Sequence, residues 1–204
     1  MVIIGICGFQ GSGKDTFSNY LVNEYGFEKL SFASVAKDVI SAIFGWDRKM
    51  LEGDTNESRI FREIVDPWWS DKLSIPNFTP RKAMQFIGTD LFRDKFNDNI
   101  WIFIIERKIL SKANKNIIIS DCRFRNEIDM IRNLGAKIIH IKRNIPIWFE
   151  TFKKTNIECD EFKKLHKSEQ EWIKENFDYE IINNESIEEF KEKINIFVNK
   201  YFCK

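Results

Sequence analysis

A glycine-rich loop near the start of the chain has the residue types needed to bind a chain of phosphates. Glycines stand at positions 8, 11 and 13, and Lys14 follows the last of them. Glycines reach backbone conformations that let successive N–H groups converge on phosphate oxygens. The lysine adds a full positive charge for the β- and γ-phosphates of a nucleoside triphosphate. The spacing predicts a phosphate-binding loop (P-loop), whose nucleotide-binding residues we expect to be Gly11, Ser12, Gly13, Lys14, Asp15 and Thr16.

The residues after Lys14 are also the first candidates for a magnesium site. The common form of the loop has serine or threonine directly after the lysine as a Mg²⁺ ligand, whereas this chain has Asp15 and then Thr16. A carboxylate beside a triphosphate is repelled unless it faces the metal or the solvent. We therefore expect Thr16 to supply the hydroxyl ligand as a second choice, and it stays open which of the two residues faces the metal.

A second group of charged residues follows the most apolar segment of the chain, residues 117–120. Asp121 stands where a buried parallel strand would end, and ligands of open parallel sheets collect at that end. Its carboxylate can hold Mg²⁺ there, and Arg123 and Arg125 can balance the charge of a transferring phosphoryl group. These three residues and Lys14 form the predicted catalytic set. The structural alternative is an aspartate that caps the next helix, with both arginines exposed.

Residues 81–90 combine the pattern of an amphipathic helix with polar side chains in unexpected places. Thr79 and Pro80 before them have the residue types of an N-cap and a first helical position. On an α-helix, Arg81, Gln85 and Gly88 share one face. That face offers a guanidinium for a phosphate, an amide for a base edge and a glycine where a ligand can approach the backbone. An ordinary exposed helix face fits the spacing equally well.

Strand and helix patterns alternate around these residues. An apolar strand at 2–7 precedes the loop, and a helix that ends at Gly26 follows it. Further strands are predicted at 28–33, 117–120, 137–141 and 179–182, and further helices at 34–44, 98–113, 124–134, 146–154, 160–176 and from Ser186. This alternation predicts an α/β fold: a parallel sheet of about five strands, flanked by helices on both faces.

Length and composition limit the classes of function. The chain has 204 residues, 43% hydrophobic and 31% charged, which fits one globular domain. A net charge of +1 argues against coating nucleic acid or a membrane surface. Residues 1–7 lack a basic leader, and no apolar run approaches a membrane span. Cys7, Cys122, Cys159 and Cys203 lack metal-ligand spacing, so we expect reduced thiols and a cytoplasmic location, in the host if the protein is viral.

Two segments predict specialised parts of this single domain. Residues 46–100 form an expected helical insertion that binds the substrate. Residues 144–177 are highly charged and follow a strand end, where a lid would close over the phosphates and exclude water. Arg143 would lie at the hinge and reach adenine or a phosphate of the nucleotide. Two helices packed permanently on the sheet edge are the alternative for this segment.

Taken together, these segments resemble the deoxynucleoside monophosphate kinases of the bacteriophage and large-virus type. The most specific matches are residues 85–90 and 121–127, and the matching segments cover most of the chain in the same order. The others are Lys14-Asp15-Thr16 with the glycines before it, Phe32-Ala33 with Lys37, Arg81 with Met84, Gly135-Ala136 leading into His140-Ile141-Lys142-Arg143, His166 with Ser168-Glu169, and Asp178-Tyr179 with Ile182 and Asn184.

The resemblance implies a P-loop kinase fold of the nucleoside monophosphate kinase type and an ATP- and Mg²⁺-dependent kinase acting on deoxynucleoside 5′-monophosphates. It also implies that the Lys14-Asp15-Thr16 ending is normal in this family. No nucleic-acid polymer or membrane is an expected partner, and a homodimer stays open. The expected monophosphate-binding residues are Lys37, Arg81, Gln85, Gly88, Thr89, Asp90 and Trp101.

Two other functions are compatible with the same loop. One is a kinase for another small phosphorylated acceptor, such as dephospho-coenzyme A or phosphomevalonate. The other is a switch that binds a nucleotide without transferring phosphate. A guanine-specific switch would usually carry an Asn-Lys-x-Asp-like stretch at a strand end, and the sequence has none.

Overall fold

A computed structural model describes residues 1–112 and 114–202, without the side chain of Ser168. Cys203 and Ala113, the expected last residue of one helix, lie outside the described residues. The chain divides into two compact units. The first comprises Met1–Ser31 and Glu106–Lys204, and the second comprises Phe32–Ile105. Within the described part, no helix is long and apolar enough to cross a membrane.

Most of the described residues outside the strands belong to helices. In chain order, the α-helices are α1 (Lys14–Tyr25), α2 (Ala33–Phe44), α3 (Asn56–Phe61), α4 (Pro67–Leu73), α5 (Pro80–Gln85), α6 (Ile100–Leu110), α7 (Arg125–Asn133), α8 (Ile147–Thr155), α9 (Asp160–Lys163), α10 (Lys167–Lys174) and α11 (Ile187–Tyr201). A short 3₁₀ turn covers Lys49–Leu51, and a π-helix covers Phe86–Phe96.

Five parallel strands form the sheet of the first unit, which confirms the predicted architecture. They are β1 (Ile3–Cys7), β2 (Glu28–Leu30), β3 (Ile117–Ile119), β4 (Lys137–Lys142) and β5 (Tyr179–Ile182). Their order is β2-β3-β1-β4-β5, so β1 lies in the centre, and its Gly5 pairs with Ile119 and Ile138. Because all strand pairs are parallel, the five carboxyl ends share one edge of the sheet.

Helices cover both faces of this sheet. A side chain on Gly5 would collide with Ile131 of α7, so α7 packs on that face of β1. The next residue, Ile6, points to the opposite face because side chains alternate along a strand. There it belongs to a buried apolar cluster with Phe17 of α1 and Phe190 of α11. Burying one such side chain contributes roughly 1.5–3 kcal/mol, so this two-sided packing holds the site edge in place.

The second unit has its own apolar core, to which α2, the 3₁₀ turn, α5 and the π-helix contribute. Its buried members are Ile40, Leu51, Phe78, Ala83 and Ile87. Thr79 caps α5 as the sequence predicts, because its side-chain oxygen accepts a hydrogen bond from Lys82 N at 3.2 Å. The cap and Pro80 at the first helical position fix where α5 begins.

The structure corrects two of the predicted helices. The helix expected at 160–176 is interrupted between α9 and α10, where the Gln170 side-chain amide donates to the carbonyls of Phe162 at 3.3 Å and Leu165 at 2.8 Å. The α-helix that begins at Pro80 ends at Gln85 and continues as the π-helix. An apolar pattern does not specify a shift of the hydrogen-bond ladder by one residue, which tertiary contacts select.

The three described cysteines form no disulfide. Cys7 and Cys122 are buried and Cys159 is partly buried. Burial raises the pKa of both buried thiols above the ordinary value, because it disfavours the thiolate. These two residues behave as small apolar side chains of the core.

Candidate active site

The phosphate loop joins the carboxyl end of the central strand β1 to α1. Its last residue, Gly13, has φ of 103°, a region that only glycine adopts readily. A Cβ at this position would also collide with the side-chain amide of Asn183. Both the backbone and the neighbour therefore require glycine here. The following N–H groups of the first turn of α1, with their partial positive charge, favour an anion at this point.

Lys14 is the first residue of α1 and is partly buried beneath the loop. Its Nζ donates to the carbonyls of Gly8 and Phe9, both at 2.7 Å. Burial lowers the pKa of Lys14 from 10.5 to about 8, and the Arg123 guanidinium acts in the same direction. An anion bound in the loop would stabilise the ammonium form, so the site is built to receive negative charge.

Asp15 and Thr16 differ in their surroundings. The Asp15 side chain is 59% exposed and forms an ion pair with Lys29 Nζ at 3.0 Å, whereas Thr16 is partly buried. The ion pair gives the Asp15 carboxylate a partner of opposite charge in β2. The roles of both residues toward Mg²⁺ stay predictions.

Asp121 lies just beyond β3 and shares a hydrogen bond with the end of the neighbouring strand. Ser31, which follows β2, donates its hydroxyl to Asp121 Oδ2 at 2.7 Å. Ser31 was not among the predicted site residues. The predicted strand 28–33 placed Ser31 in its interior, whereas the structure ends β2 at Leu30 and so brings Ser31 to the edge where the carboxyl ends of the parallel strands meet.

The donor set near the phosphate loop fits one kind of magnesium site. Among residues 1–112 and 114–202, no cluster of three or more His, Cys, Asp or Glu side chains can hold a metal. Mg²⁺ commonly binds proteins through one or two carboxylates and otherwise through water and substrate phosphates. The Asp121 carboxylate and the Thr16 hydroxyl fit such a site, in which the protein supplies few ligands and the nucleotide and water supply the others.

The two predicted catalytic arginines have different partners. Arg123 Nη1 forms an ion pair with Glu169 Oε1 at 2.7 Å, and its carbonyl accepts a hydrogen bond from Trp172 N at 3.1 Å. The effect of Arg123 on the pKa of Lys14 shows that its charge reaches the phosphate loop. Arg125, the first residue of α7, is 76% exposed and lies 3.6 Å from Asp129 and 3.9 Å from Glu175. Arg123 is thus held by α10 near the loop, and Arg125 is the more solvated of the two.

A cavity of about 520 Å³ adjoins the phosphate loop. The loop contributes Phe9, Gln10 and Gly11, and the segment after β4 contributes Arg143, Asn144 and Pro146. Arg143 is exposed, so its guanidinium is accessible to a ligand in this cavity. The cavity has the size of a small-molecule site.

Aromatic side chains connect the phosphate loop to residues 144–177. Phe9 of the loop packs edge-on against Trp148, Phe149 and Trp172, with ring centroids 5.9, 5.6 and 5.0 Å away. Phe149 and Trp172 are almost fully buried. Lys153 Nζ donates to the carbonyls of α10 residue Ile173 and of Glu175. The helices α8 and α10 are therefore attached beside the loop by a cluster of mostly buried aromatic side chains.

Two asparagines after β5 also contact this end of the unit. Asn183 Nδ2 donates to the Ser12 carbonyl at 2.8 Å, and Asn184 Oδ1 accepts a hydrogen bond from Asn144 N at 3.2 Å. Asn183 was not among the predicted site residues. Its place directly after the last predicted strand is the signal that could have identified it.

In the second unit, the polar residues predicted to bind a monophosphate lie on two types of helix. Arg81 and Gln85 belong to α5, where Arg81 Nε forms an ion pair with Glu63 and Gln85 is exposed. Gly88, Thr89 and Asp90 belong to the π-helix. The predicted common face of Arg81, Gln85 and Gly88 assumed α-helical spacing throughout, and that assumption is wrong beyond Gln85.

Two buried side chains connect the π-helix to the residues that follow it. Trp101 is 4% exposed, and its indole N–H donates to the Gly88 carbonyl at 2.8 Å. Arg93 is 5% exposed and donates to the Asp98 carbonyl at 3.1 Å. Thr89 is buried, whereas the next residue, Asp90, is exposed. The binding role of these residues stays a prediction.

Lys37 of α2 also has a partner within the second unit. Its Nζ lies 2.6 Å from Glu52 Oε2. Glu52 also pairs with Arg48, whose Nε lies 2.5 Å from Asp38. Lys37 therefore belongs to a charge network, and a bound phosphate would have to compete with Glu52 for it.

Comparisons with known proteins identify the family. A model of the family described as deoxynucleotide monophosphate kinase matches residues 55–194. A protein of Acanthamoeba polyphaga mimivirus, provisionally named a deoxynucleotide monophosphate kinase, is 32% identical over 207 residues, which covers 95% of this chain and 94% of the relative. The deoxynucleotide monophosphate kinase of Enterobacteria phage T4 is 23% identical over 70% of this chain and 82% of its own.

Among solved structures, a dephospho-CoA kinase from Campylobacter jejuni aligns over 97% of this chain and 96% of its own, with 19% identity and a TM-score of 0.48. The sequence matches show the family: the family model spans more than half of the chain, and the mimivirus relative, at 32% identity, aligns along nearly all of it. They confirm the predicted kinase family. The chain belongs to the deoxynucleotide monophosphate kinase family.

Proposed function

We propose that this protein transfers the γ-phosphoryl group of ATP to deoxynucleoside 5′-monophosphates. An oxygen of the acceptor's phosphate forms a bond to the γ-phosphorus, the bond from that phosphorus to the β–γ bridging oxygen breaks, and ADP leaves. The observation that carries the proposal is the phosphate loop with Lys14 enclosed beneath it in a member of a monophosphate kinase family. The acceptor phosphate is already ionised, so catalysis is mainly positioning and charge stabilisation.

The donor nucleotide would bind to the first unit. The N–H groups of residues 11–16 bind the phosphates, and Lys14 exchanges its carbonyl partners Gly8 and Phe9 for phosphate oxygens. The adjoining cavity has Arg143 on its wall, where a guanidinium can stack on a base or reach a phosphate. The shared boundary between loop and cavity supports one continuous nucleotide site.

Magnesium would be held by Thr16 or Asp15 and by Asp121, together with phosphate oxygens. When bound, the ion neutralises charge on the β- and γ-phosphates. The Ser31 hydroxyl orients Asp121 by its hydrogen bond to Oδ2. The ion pair of Asp15 with Lys29 favours Thr16 over Asp15 as the ligand, because Asp15 would have to leave Lys29 to reach a metal.

Arg123 and Arg125 would balance the charge of the phosphoryl group as it moves. Arg123 is the stronger candidate, since its charge already acts on Lys14. Glu169 holds the Arg123 guanidinium by an ion pair. Arg125 would have to turn from its acidic neighbours Asp129 and Glu175.

The acceptor nucleotide would bind to the second unit, within the insertion of residues 46–100. Arg81 would bind its phosphate and the exposed Gln85 its base. Lys37, Gly88, Thr89, Asp90 and Trp101 would complete the pocket. The π-helix Phe86–Phe96, which continues α5, carries Gly88, Thr89 and Asp90, and Asp90 is exposed there.

Residues 144–177 would act as a lid, and its aromatic cluster beside the phosphate loop would stay in place. Through the contacts of Phe9 with Trp148, Phe149 and Trp172, a nucleotide held by the loop would act on this segment. The stretch 154–161, which is exposed except for the partly buried Cys159, lies outside that aromatic cluster. Amide hydrogen exchange tests the lid: a bisubstrate analogue should protect this stretch, and equal protection without ligand would contradict closure.

An assay with ATP and a panel of acceptors tests the function. We expect ADP formation with deoxynucleoside monophosphates, and no reaction with dephospho-coenzyme A or phosphomevalonate. A Lys14→Ala variant is the control for contaminating kinases. Nucleotide binding without transfer to any acceptor would instead support the non-catalytic switch.

A further inference from the structure

Asn183 joins the end of β5 to the phosphate loop through a buried side chain. The residue is 6% exposed, and its Nδ2 donates to the Ser12 carbonyl at 2.8 Å. Its own backbone N–H donates to the Lys142 carbonyl at 2.7 Å, at the end of β4. The amide group is therefore anchored on the sheet, and the loop carbonyl is held by a fixed donor.

This hydrogen bond determines the direction of a second loop group. A trans peptide is planar, with its C=O and N–H pointing in opposite directions. Because the Ser12 carbonyl points toward Asn183, the N–H of Gly13 in the same peptide points away from it. Loops of this type bind phosphate through their N–H groups. The position of Asn183 thus controls the aim of one donor that the phosphates need.

Gly13 makes this control both possible and necessary. Its missing Cβ leaves space for the Asn183 amide, which any side chain here would strike. Glycine also has the widest choice of backbone conformations, so an unrestrained peptide before it would rotate easily. Restraining the peptide before the ligand arrives removes an ordering cost from binding.

We propose that Asn183 is a positioning residue that aims the Gly13 N–H at the phosphates of the donor nucleotide. The inference rests on the proposed function for the choice of ATP as ligand. It predicts an effect on the triphosphate and none on the monophosphate acceptor. A residue that only stabilised the fold would instead lower the amount of active protein and leave both affinities unchanged.

The test compares Asn183→Ala and Asn183→Asp with the wild-type protein. Calorimetry with the β,γ-imido analogue of ATP and Mg²⁺ measures donor binding, and steady-state kinetics give both KM values. Loss of one hydrogen bond to a charged group corresponds to about a tenfold change in affinity, so we expect Kd and KM for the donor to rise about tenfold in Asn183→Ala. Asn183→Asp should be at least as impaired, because a carboxylate cannot donate to the Ser12 carbonyl.

Asn116→Ala is the matched control. Asn116 Oδ1 accepts a hydrogen bond from Val2 N at 2.9 Å, which also connects distant parts of the chain, but at the amino end of β1. This variant should lose thermal stability and bind the ATP analogue as the wild-type protein does. If Asn183→Ala folds less well, Asn183→Ser replaces it, since a serine hydroxyl is too short to reach the loop.

Wild-type donor affinity in the Asn183 variants would overturn the proposal, as would an equal rise in the acceptor KM. Failure of all three Asn183 variants to fold, while Asn116→Ala folds, would also overturn it and make Asn183 a folding residue. The proposed function fails separately, if the wild-type protein transfers phosphate to no deoxynucleoside monophosphate. Binding of the ATP analogue distinguishes the two results, because it requires no transfer.

Discussion

The phosphate-loop end of the first unit and residues 80–96 of the second unit hold their polar groups in different ways. At the loop, Lys14 donates to two loop carbonyls, and the buried amide of Asn183 donates to a third, that of Ser12. On α5 and the π-helix, the corresponding side chains are exposed, as at Gln85, or engaged elsewhere, as in the Arg81–Glu63 ion pair.

This contrast shows what a short motif can specify. A phosphate loop binds mainly through its backbone, and three glycines with a lysine suffice to identify such a loop in a sequence. A pocket on a helix depends on which side chains face the ligand, which changes with the helix type and with neighbouring charges. If the phosphate loop is preorganised and residues 80–96 are not, substitutions in the two regions should differ in the size and kind of their effects.

Replacing Lys14 with alanine should have the largest effect. The change removes the charge that balances the β- and γ-phosphates, so kcat should fall by about 10²-fold or more, with the fold intact. Steady-state kinetics measure kcat, and circular dichroism shows whether the variant is folded. Lys137→Ala is the control, because Lys137 pairs with Asp178 at 2.9 Å at the start of β4. Normal turnover in folded Lys14→Ala would refute the phosphate-loop assignment.

Changes at Arg81 and Gln85 should affect the acceptor alone. We expect Arg81→Ala to raise KM for every monophosphate by about tenfold, through loss of a charged hydrogen bond, and Gln85→Ala to change the preference among bases. Arg59→Ala is the control in the same unit, where Arg59 donates to the Gly53 carbonyl. Glu63→Gln should lower KM by releasing Arg81. Unchanged KM values and base preference would make α5 a purely structural helix.

The pKa of Lys14 predicts a loss of donor binding in alkali. The group is charged below its pKa of about 8 and neutral above it, so kcat/KM for ATP should be level below pH 8 and then fall by up to about tenfold per pH unit. Bound phosphates should raise the pKa, and calorimetry in two buffers near pH 8.5 should therefore show proton uptake.

Stability should change in the opposite direction over the same range. Between pH 8 and 10.5 the unfolded lysine binds more protons than the folded one, so this group's contribution to the free energy of unfolding rises with pH. Lys14→Arg is the control, because arginine stays protonated throughout. An alkaline loss of kcat/KM in Lys14→Arg equal to that of the wild-type protein would exclude Lys14 as its cause.

Magnesium dependence should distinguish Thr16 from Asp15 with a smaller effect. If Thr16 supplies the metal-facing hydroxyl, Thr16→Ala should raise the Mg²⁺ concentration needed for half-maximal activity several-fold, because the ion loses one of its protein oxygen ligands. Asp15→Ser should have a mild effect or improve activity, because Asp15 is paired with Lys29. Magnesium titrations with the reverse ranking would identify Asp15 as the ligand.

Local sequence patterns predicted much of the fold because each depends on short-range physics. Gly26 and Gly45 end α1 and α2 in left-handed conformations, and Ser186 caps α11, as expected. The apolar runs before residues 8 and 121 predicted two strands of one parallel sheet, and the structure shows that they pair with each other. The strand at 28–33 was predicted too long, since only Glu28–Leu30 has a partner strand.

The sequence by itself determined the phosphate loop, the parallel sheet and the edge at which the strand-end residues gather. Glycine permits the backbone conformations that the loop needs, and apolar periodicity indicates which segments form strands and helices, so both are local signals. Tertiary structure alone decided the π-helix, the Ser31–Asp121 and Arg123–Glu169 pairs and the hold of Asn183 on Ser12. These contacts join residues far apart in the chain, so each depends on the packing of the whole unit, which no local pattern encodes.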